Sequence, residues 1–249
     1  MEEQIRKIND SLKQAITTRD LFFSIIAHDL RNPFNTILGF SNILWNEATK
    51  LENEAITQYA GIIRSSATQA HRLAENLLEW AKIQNGQMPF QPRGFLLNTV
   101  IQSELSAVST SALQKMITMS CRVEDSIGVF ADENMVAAVV RNLISNALKF
   151  TGANGEVEIT ATERNNMAEV SVSDTGIGMT NAEMMKLFRI ESVSTTVGTQ
   201  NEKGSGLGLL LCHEFITKNG GTIRVESEAG KGSTFIFTLP LTSEQESLE

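Results

Sequence analysis

His28 and Asp29 lie side by side in SIIAHDLRNPFNTIL (residues 24–38), with Asn32 one helical turn beyond the histidine. A histidine beside a carboxylate is a usable nucleophile. Free imidazole titrates near ~6.5, so an uncharged ring is available at neutral pH. A carboxylate bonded to one ring nitrogen raises the basicity of the other. At ~100° per residue, His28 falls about 200° from both Ile26 and Leu30, so it faces water while the apolar residues face a partner. Asn32, at i+4, shares the face of the histidine. Pro33 removes a backbone donor in the same turn and should bend the helix. Taken alone, the pair also reads as a solvated His-Asp couple. The other two histidines receive that plainer reading. His71 lies on a second helix without an adjacent carboxylate, and His213 follows a glycine turn in an apolar helix.

A second group of residues could hold a phosphate donor. In NLISNALKF (142–150), Asn142 and Asn146 share one helix face and Lys149 follows one turn on. Two amide oxygens on one face suit a hard cation, and a lysine suits phosphate oxygens. In DTGIGM (174–179), Asp174 could accept from an adenine amino group, while Gly176 and Gly178 let the backbone approach the base and sugar. In GSGLGLLL (204–211), Gly204, Gly206 and Gly208 precede a helix, with Leu207 between them. Such a turn aims amide donors from a helix N-terminus at phosphate. Arg189–Lys203 is polar and poor in pattern, as a mobile lid would be. Each signal alone is weak, since glycines at strand ends usually make turns. Their order over about seventy residues is far more specific. The glycines do not form G-x-G-x-x-G opening a βαβ unit, and no G-x-x-x-x-G-K-[ST] occurs.

The elements that must position these groups fall into two textures. From Ile56, the residues Tyr59, Ile63, Ser66, Ala70, Leu73, Leu77 and Trp80 advance by threes and fours, the seam of a helix in a bundle. Ile5, Ile8, Leu12 and Ala15 start a similar seam, continued through Phe23, Ile26, Leu30, Ile37 and Leu44. The polar run at residues 46–54 separates the two, giving an antiparallel αα-hairpin. Two helices bury only one face of each other, so the seam predicts a four-helix bundle in a homodimer. Pro89 and Pro92 then bracket a short linker. Beyond it, ITMSCRV, GEVEITATE, AEVSVSD, GTIRVES and STFIFTL alternate as strands do. Segments near 98–114, 132–150, 180–188 and 206–218 read as helices, with Asp132 a candidate N-cap for the second. The expectation is an α+β sandwich domain, a sheet covered on one face by helices. The boundaries read 1–88 for the hairpin, 89–93 for the linker, 94–243 for the second domain and 244–249 for a C-terminal tail.

Bulk composition narrows the function. Hydrophobic residues make up 41%, enough for packed cores. The net charge of −8 argues against a nucleic-acid surface, which needs clustered Lys and Arg. Cys121 and Cys212 lie far apart, which argues against a zinc site or disulfide framework and fits a reducing compartment. Leu207–Cys212, the longest kind of apolar stretch, falls far short of the ~20 residues that span a bilayer.

Together these motifs resemble the cytoplasmic core of a two-component sensor histidine kinase, alone or within a hybrid kinase. AHDLRNP is similar to the H box, NLISNALKF to the N box, DTGIGM to the first glycine box, Leu187-Phe188 to the F box and GSGLGL to the second glycine box. The resemblance runs from about Leu21 to Leu241. It implies a dimerisation and phosphoacceptor hairpin followed by a Bergerat-type ATP-binding domain, the fold shared with gyrase, Hsp90 and MutL ATPases. It implies that His28 accepts the γ-phosphoryl of ATP, that Asp29 activates it, and that Asn32 positions water for phosphatase action on a response regulator. It also implies that Asn146 binds Mg²⁺, that Asn142 sits near the phosphates and that Asp174 reads adenine. Phe188, Gly204, Gly206, Leu207 and Gly208 would complete the nucleotide site. After Phe188 the family often continues with a residue, Pro and a second Phe, whereas this chain has Arg189, Ile190 and Glu191.

The implied partners are a second copy of the chain, a receiver domain carrying an aspartate, and an upstream sensor feeding signals in through Ile5–Leu12. The implied location is the cytoplasm, any inner-membrane anchor lying outside residues 1–249. Two rival readings are weaker. A Bergerat-fold ATPase would need a carboxylate in the N-box helix to activate water, and Arg141 stands just before Asn142 instead. A degenerate scaffold would have lost nucleotide residues, and the main ones are all present.

Overall fold

The structure is a computed structural model that describes residues 30–47, 51–84, 88–188, 198–199 and 208–242. The chain divides into two compact units, Met1–Met88 and Pro89–Glu249.

The first unit is helical. Helix α1 occupies residues 30–47 and α2 occupies Asn53–Gln84. Pro33 does not end α1, which is helical through it. Leu51 and Glu52, within the polar stretch, lie outside both helices. Along α2 the sequence seam is visible in burial. Ala70 and Leu73 are buried and Ile56, Tyr59, Ile63 and Leu77 half-buried, while Arg64, Thr68 and Arg72 stand in water. The rings of Phe40 and Tyr59, 5.2 Å apart, pack α1 against α2. His71 is not without a carboxylate, because Glu75 lies at i+4 and its oxygen is 3.2 Å from Nδ1. Residues at i and i+4 of a helix are neighbours in space though not in sequence.

The second unit is an α+β sandwich. Its elements are β1 (Arg93–Leu96), α3 (Leu97–Gln114), β2 (Thr118–Val123), β3 (Gly128–Ala131), α4 (Glu133–Phe150), β4 (Glu156–Arg164), β5 (Met167–Asp174), α5 (Asn181–Met184), α6 (Gly208–Lys218), β6 (Ile223–Glu228) and β7 (Gly232–Pro240). Five strands form one sheet in the order β2-β4-β5-β7-β6, and β1 pairs with β3 separately. Only β2 and β4 run parallel in the large sheet. Alternation decides the faces. Val157, Ile159 and Ala161 of β4 and Ala168, Val170 and Val172 of β5 point into the core. The opposite face carries hydroxyl pairs, Thr160 with Ser171 at 2.7 Å and Ser173 with Thr234 at 2.8 Å. Helix α4 brings Val136, Val139, Val140, Leu143 and Ile144 to the buried side, and Leu211, Phe215 and Ile216 of α6 pack there too.

Two features depart from the sequence reading. The helix expected at 180–188 is helical only over Asn181–Met184 and then turns. Thr180 and Glu183 form a capping box that starts it, but none of its residues is buried, so nothing holds a second turn. Strands β1 and β3 were not anticipated, because four residues are too few to display alternation. Residues of the linker stretch also bond within this unit. The Gln91 N–H donates to Asp132 Oδ2 at 2.9 Å, and the Lys218 ammonium lies 5.6 Å from the Phe90 ring centroid.

Candidate functional site

Helix α4 is the spine of the site. Asp132 starts it, accepting the Met135 N–H at 3.2 Å as the spacing had implied. Its buried stripe fixes its rotation, which leaves Asn142, Asn146 and Lys149 half-buried on the other side. The Asn142 amide donates one N–H to the Ala138 carbonyl at 2.9 Å, and its Oδ1 lies on the side of Gly208. A Cβ on Gly208 would come within 2.7 Å of that oxygen. The absence of a side chain at Gly208 is therefore what lets α6 begin against Asn142. The first and last of these motifs meet at this point. The Lys149 ammonium lies 4.4 Å from the Phe150 ring centroid.

The C-terminal end of α4 meets the turn after β5. Ile177 donates its N–H to the Phe150 carbonyl at 3.2 Å, and Gly178 follows in the same turn. A Cβ on Gly176 would lie 2.4 Å from the Phe150 carbonyl oxygen, so only glycine fits this approach. Asp174 ends β5 and is buried. Its Oδ1 accepts the Gly176 N–H at 2.8 Å. Burial pushes the Asp174 carboxyl above the ordinary carboxylate range, and the backbone N–H groups of Gly176 and Ser233 oppose that rise. Phe188 packs its ring 5.9 Å from that of His213 on α6, which ties the F-box position to the helix that follows the second glycine box.

Sequence reasoning missed the residues that hold this end of α4 together. Lys115, at the C-cap of α3, is buried, and its ammonium donates to the carbonyls of Leu148 at 2.7 Å, Lys149 at 3.3 Å and Thr151 at 3.4 Å. It also donates to Thr199 Oγ1 at 2.9 Å. Thr199 in turn donates its N–H to the Lys149 carbonyl at 3.0 Å and its hydroxyl to Thr151 O at 2.9 Å. A helix C-terminus carries orphan carbonyls and partial negative charge, and a buried cation answers both. No spacing in the sequence announces a lysine that acts across 33 residues.

The remaining expected site residues divide between the two units and the undescribed stretches. Asn32 is exposed on α1, its carbonyl accepting from Thr36 Oγ1 at 3.1 Å. His28, Asp29, Gly204, Gly206 and Leu207 lie outside the described residues, as do Arg189, Ile190 and Glu191. Among the described residues no cluster of three or more His, Cys, Asp or Glu could hold a metal ion. No described helix is long and apolar enough to cross a membrane.

Comparison with known proteins agrees on both units. Residues 18–86 match the His Kinase A (phospho-acceptor) domain, and residues 131–243 match the histidine kinase-, DNA gyrase B-, and HSP90-like ATPase family. An uncharacterised sensor-like histidine kinase of Rhizobium meliloti is 32% identical over 221 residues, which are 88% of this chain and 42% of that protein. This chain spans less than half the length of the curated relatives it matches. The catalytic domain of histidine kinase ThkA is 30% identical, with a TM-score of 0.53 over 61% of this chain and 96% of that one. ThkA in complex with the response regulator TrrA is 25% identical, with a TM-score of 0.68 over 97% of this chain and 65% of that one.

Proposed function

The chain belongs to the sensor histidine kinase family, and from that premise we propose that it transfers the γ-phosphoryl group of ATP to His28 and then to an aspartate of a response-regulator receiver domain. The observation that carries this is the convergence of the nucleotide motifs. Asn142 and Gly208 meet at one point of α4, while Gly176, whose N–H is held by Asp174, closes on the Phe150 carbonyl at the C-terminal end of α4. Asp174 would accept from the adenine amino group, and the Gly176 turn would let the base lie close to the backbone. Lys149 and the amides at the start of α6 would face the phosphates. Phosphoryl transfer asks for position and charge neutralisation more than covalent help.

A magnesium ion fits the donor set of Asn146. Its amide is a hard oxygen ligand, and magnesium characteristically takes few protein ligands and completes its shell with phosphate oxygens and water. When bound it would neutralise charge on the phosphates. The protein residues would do the rest. In the transfer, a neutral His28 ring nitrogen bonds to the γ-phosphorus as the bond to the bridging oxygen breaks, and ADP departs. Asp29 would hold the proton on the other ring nitrogen. Passing the group to a receiver aspartate reverses the bonding at His28. Asn32, one turn away, would orient a water that attacks the aspartyl phosphate of the regulator, giving phosphatase action. The hairpin would act as a homodimer, its half-buried α2 seam meeting a second copy.

The test is incubation with γ-labelled ATP and magnesium. Label on the protein that is lost in acid and kept in alkali is expected of phosphohistidine. Absence of protein-bound label under saturating nucleotide would refute the kinase reading.

A further inference from the structure

Two buried polar side chains lie far along α4 and α6 from the nucleotide residues, and the transfer reaction gives them no role. Asp132 and Asn219 are each only 5% exposed. The two carboxylate oxygens of Asp132 are divided between two tasks. Oδ1 accepts the Met135 N–H and caps α4, while Oδ2 accepts the Gln91 N–H at 2.9 Å. The Asp132 N–H donates to Asn219 Oδ1 at 2.7 Å, and the Asn219 amide donates to the Phe215 carbonyl in the last turn of α6 at 2.8 Å. The neighbouring Lys218 ammonium lies over the Phe90 ring. Helices α4 and α6 thus meet at two places, through this network at the start of α4 and the end of α6, and midway along α4 where Asn142 lies against Gly208 at the start of α6. The second place belongs to the nucleotide site, and the first grips the chain just before β1.

A helix cap needs one acceptor, and Oδ1 supplies it. Spending a second buried carboxylate oxygen on one linker amide has no role in capping α4. We propose that Asp132 is a positioning residue for phosphoryl transfer: it fixes where and in which direction the tether leaves the ATP-binding unit, and links that exit to the helix pair that carries the nucleotide. This rests on the kinase reading. Release of the grip would free Phe90 and Gln91, lengthening the tether by ~7 Å at 3.3–3.6 Å per extended residue. Reach is not the main loss, because loop length alone costs little. The loss is orientation, which a productive encounter of two tethered groups depends on.

Asp132→Asn in the whole chain isolates the contact. Asparagine remains a good N-cap, so its oxygen can still serve Met135, but its amide nitrogen then faces another donor at Gln91. Gln91→Pro removes the same N–H from the other side, at a position already biased toward extended backbone by Pro92. The expected result for both variants is nucleotide affinity within twofold of the unchanged protein and a fivefold or greater drop in the initial labelling rate at saturating ATP. Rates within twofold in both variants, or higher, overturn the proposal. So does a parallel loss of affinity and rate, which would mark a purely structural cap. Amide hydrogen exchange at Gln91 separates this from the kinase reading. Slow exchange in the unchanged protein and fast exchange in Asp132→Asn are expected whether or not label is taken up, and fast exchange in both overturns the grip. An unlabelled parent protein would refute the kinase reading and, with it, a role in transfer.

Discussion

The hairpin and the ATP-binding unit solve burial in opposite ways. Of the described hairpin residues, Pro33, Ala70 and Leu73 are buried, while Phe34, Leu38 and Trp45 of α1 are 52%, 60% and 87% exposed. In the second unit Leu97, Ile101, Val139, Leu143, Ile159 and Phe237 are fully sequestered. Two helices cannot enclose a core, whereas a sheet with helices on one face can. The chemistry divides along the same line. The unit with a core holds the proposed nucleotide residues Asn142, Asp174, Gly176 and Gly208, and the proposed phosphoacceptor motif belongs to the sequence of the other unit.

The sharpest way to break that division is to remove the acceptor. His28→Gln should abolish labelling by ATP and leave nucleotide affinity unchanged, because the residues proposed to hold the nucleotide lie in the other unit. Scintillation counting of the labelled protein beside equilibrium binding of a fluorescent nucleotide measures both. Retained labelling would transfer the role to His71, whose Glu75 partner makes it the next candidate. A smaller effect should come from Asn32→Ala. If Asn32 orients water, regulator dephosphorylation drops ~10²-fold while labelling of His28 largely survives. Equal loss of both rates would mean that Asn32 serves only the backbone near Pro33.

Within the ATP-binding unit, Asp174→Asn should weaken ATP binding by roughly tenfold to hundredfold, the effect of ~1.5–3 kcal/mol in a charge-assisted hydrogen bond. The direction of its pKa adds a signature. Burial raises the Asp174 carboxyl, so it takes up a proton at a higher pH than an ordinary carboxylate. ATP affinity should therefore begin to fall on acidification earlier than a solvated aspartate would allow, and the variant should lack that limb. The stability contribution has the opposite sign. Ionised Asp174 is the form that burial penalises, so acidification through its raised pKa relieves a cost. Titration of nucleotide affinity between neutral pH and mild acid checks the first point.

How much was legible in the sequence follows from what each feature depends on. The α2 seam, the five long strands and the Asp132 cap depend on local period or local bonding, and all can be read from residue order. Asn142 and Gly208 were each visible as motif residues. Their meeting was not, because it depends on the packing of α4 on α6. Strands β1 and β3 are too short to show a period. The i+4 spacing of Glu75 from His71 is legible in residue order. Lys115, Thr199 and the second use of Asp132 were illegible in principle, since each bonds to backbone far away in the chain, and backbone groups leave no mark in a sequence.

Lys115 gives the smallest of these effects and tests the independence of the two units. Its ammonium reaches the carbonyls of Leu148, Lys149 and Thr151 and the hydroxyl of Thr199. Lys115→Met keeps most of the aliphatic stem and removes the donor. The carbonyls it served then lose a partner in a place water reaches poorly, a cost of about 1–3 kcal/mol, partly offset because a buried ammonium no longer has to be desolvated. At about 2–4 °C per kcal/mol for a domain of this size, the melting transition of the ATP-binding unit should fall by a few degrees. The hairpin makes none of these bonds, so its transition should stay where it was. Calorimetry of the whole chain reads both transitions in one scan. A downward shift of both would show that the units melt as one, and the contrast between a self-contained core and an open hairpin would not describe their stability. No shift in either would mean that other donors satisfy the end of α4. A shift confined to the transition of the ATP-binding unit would leave the contrast standing and assign to Lys115 the holding of the α4 C-terminus beside Lys149 and Gly176.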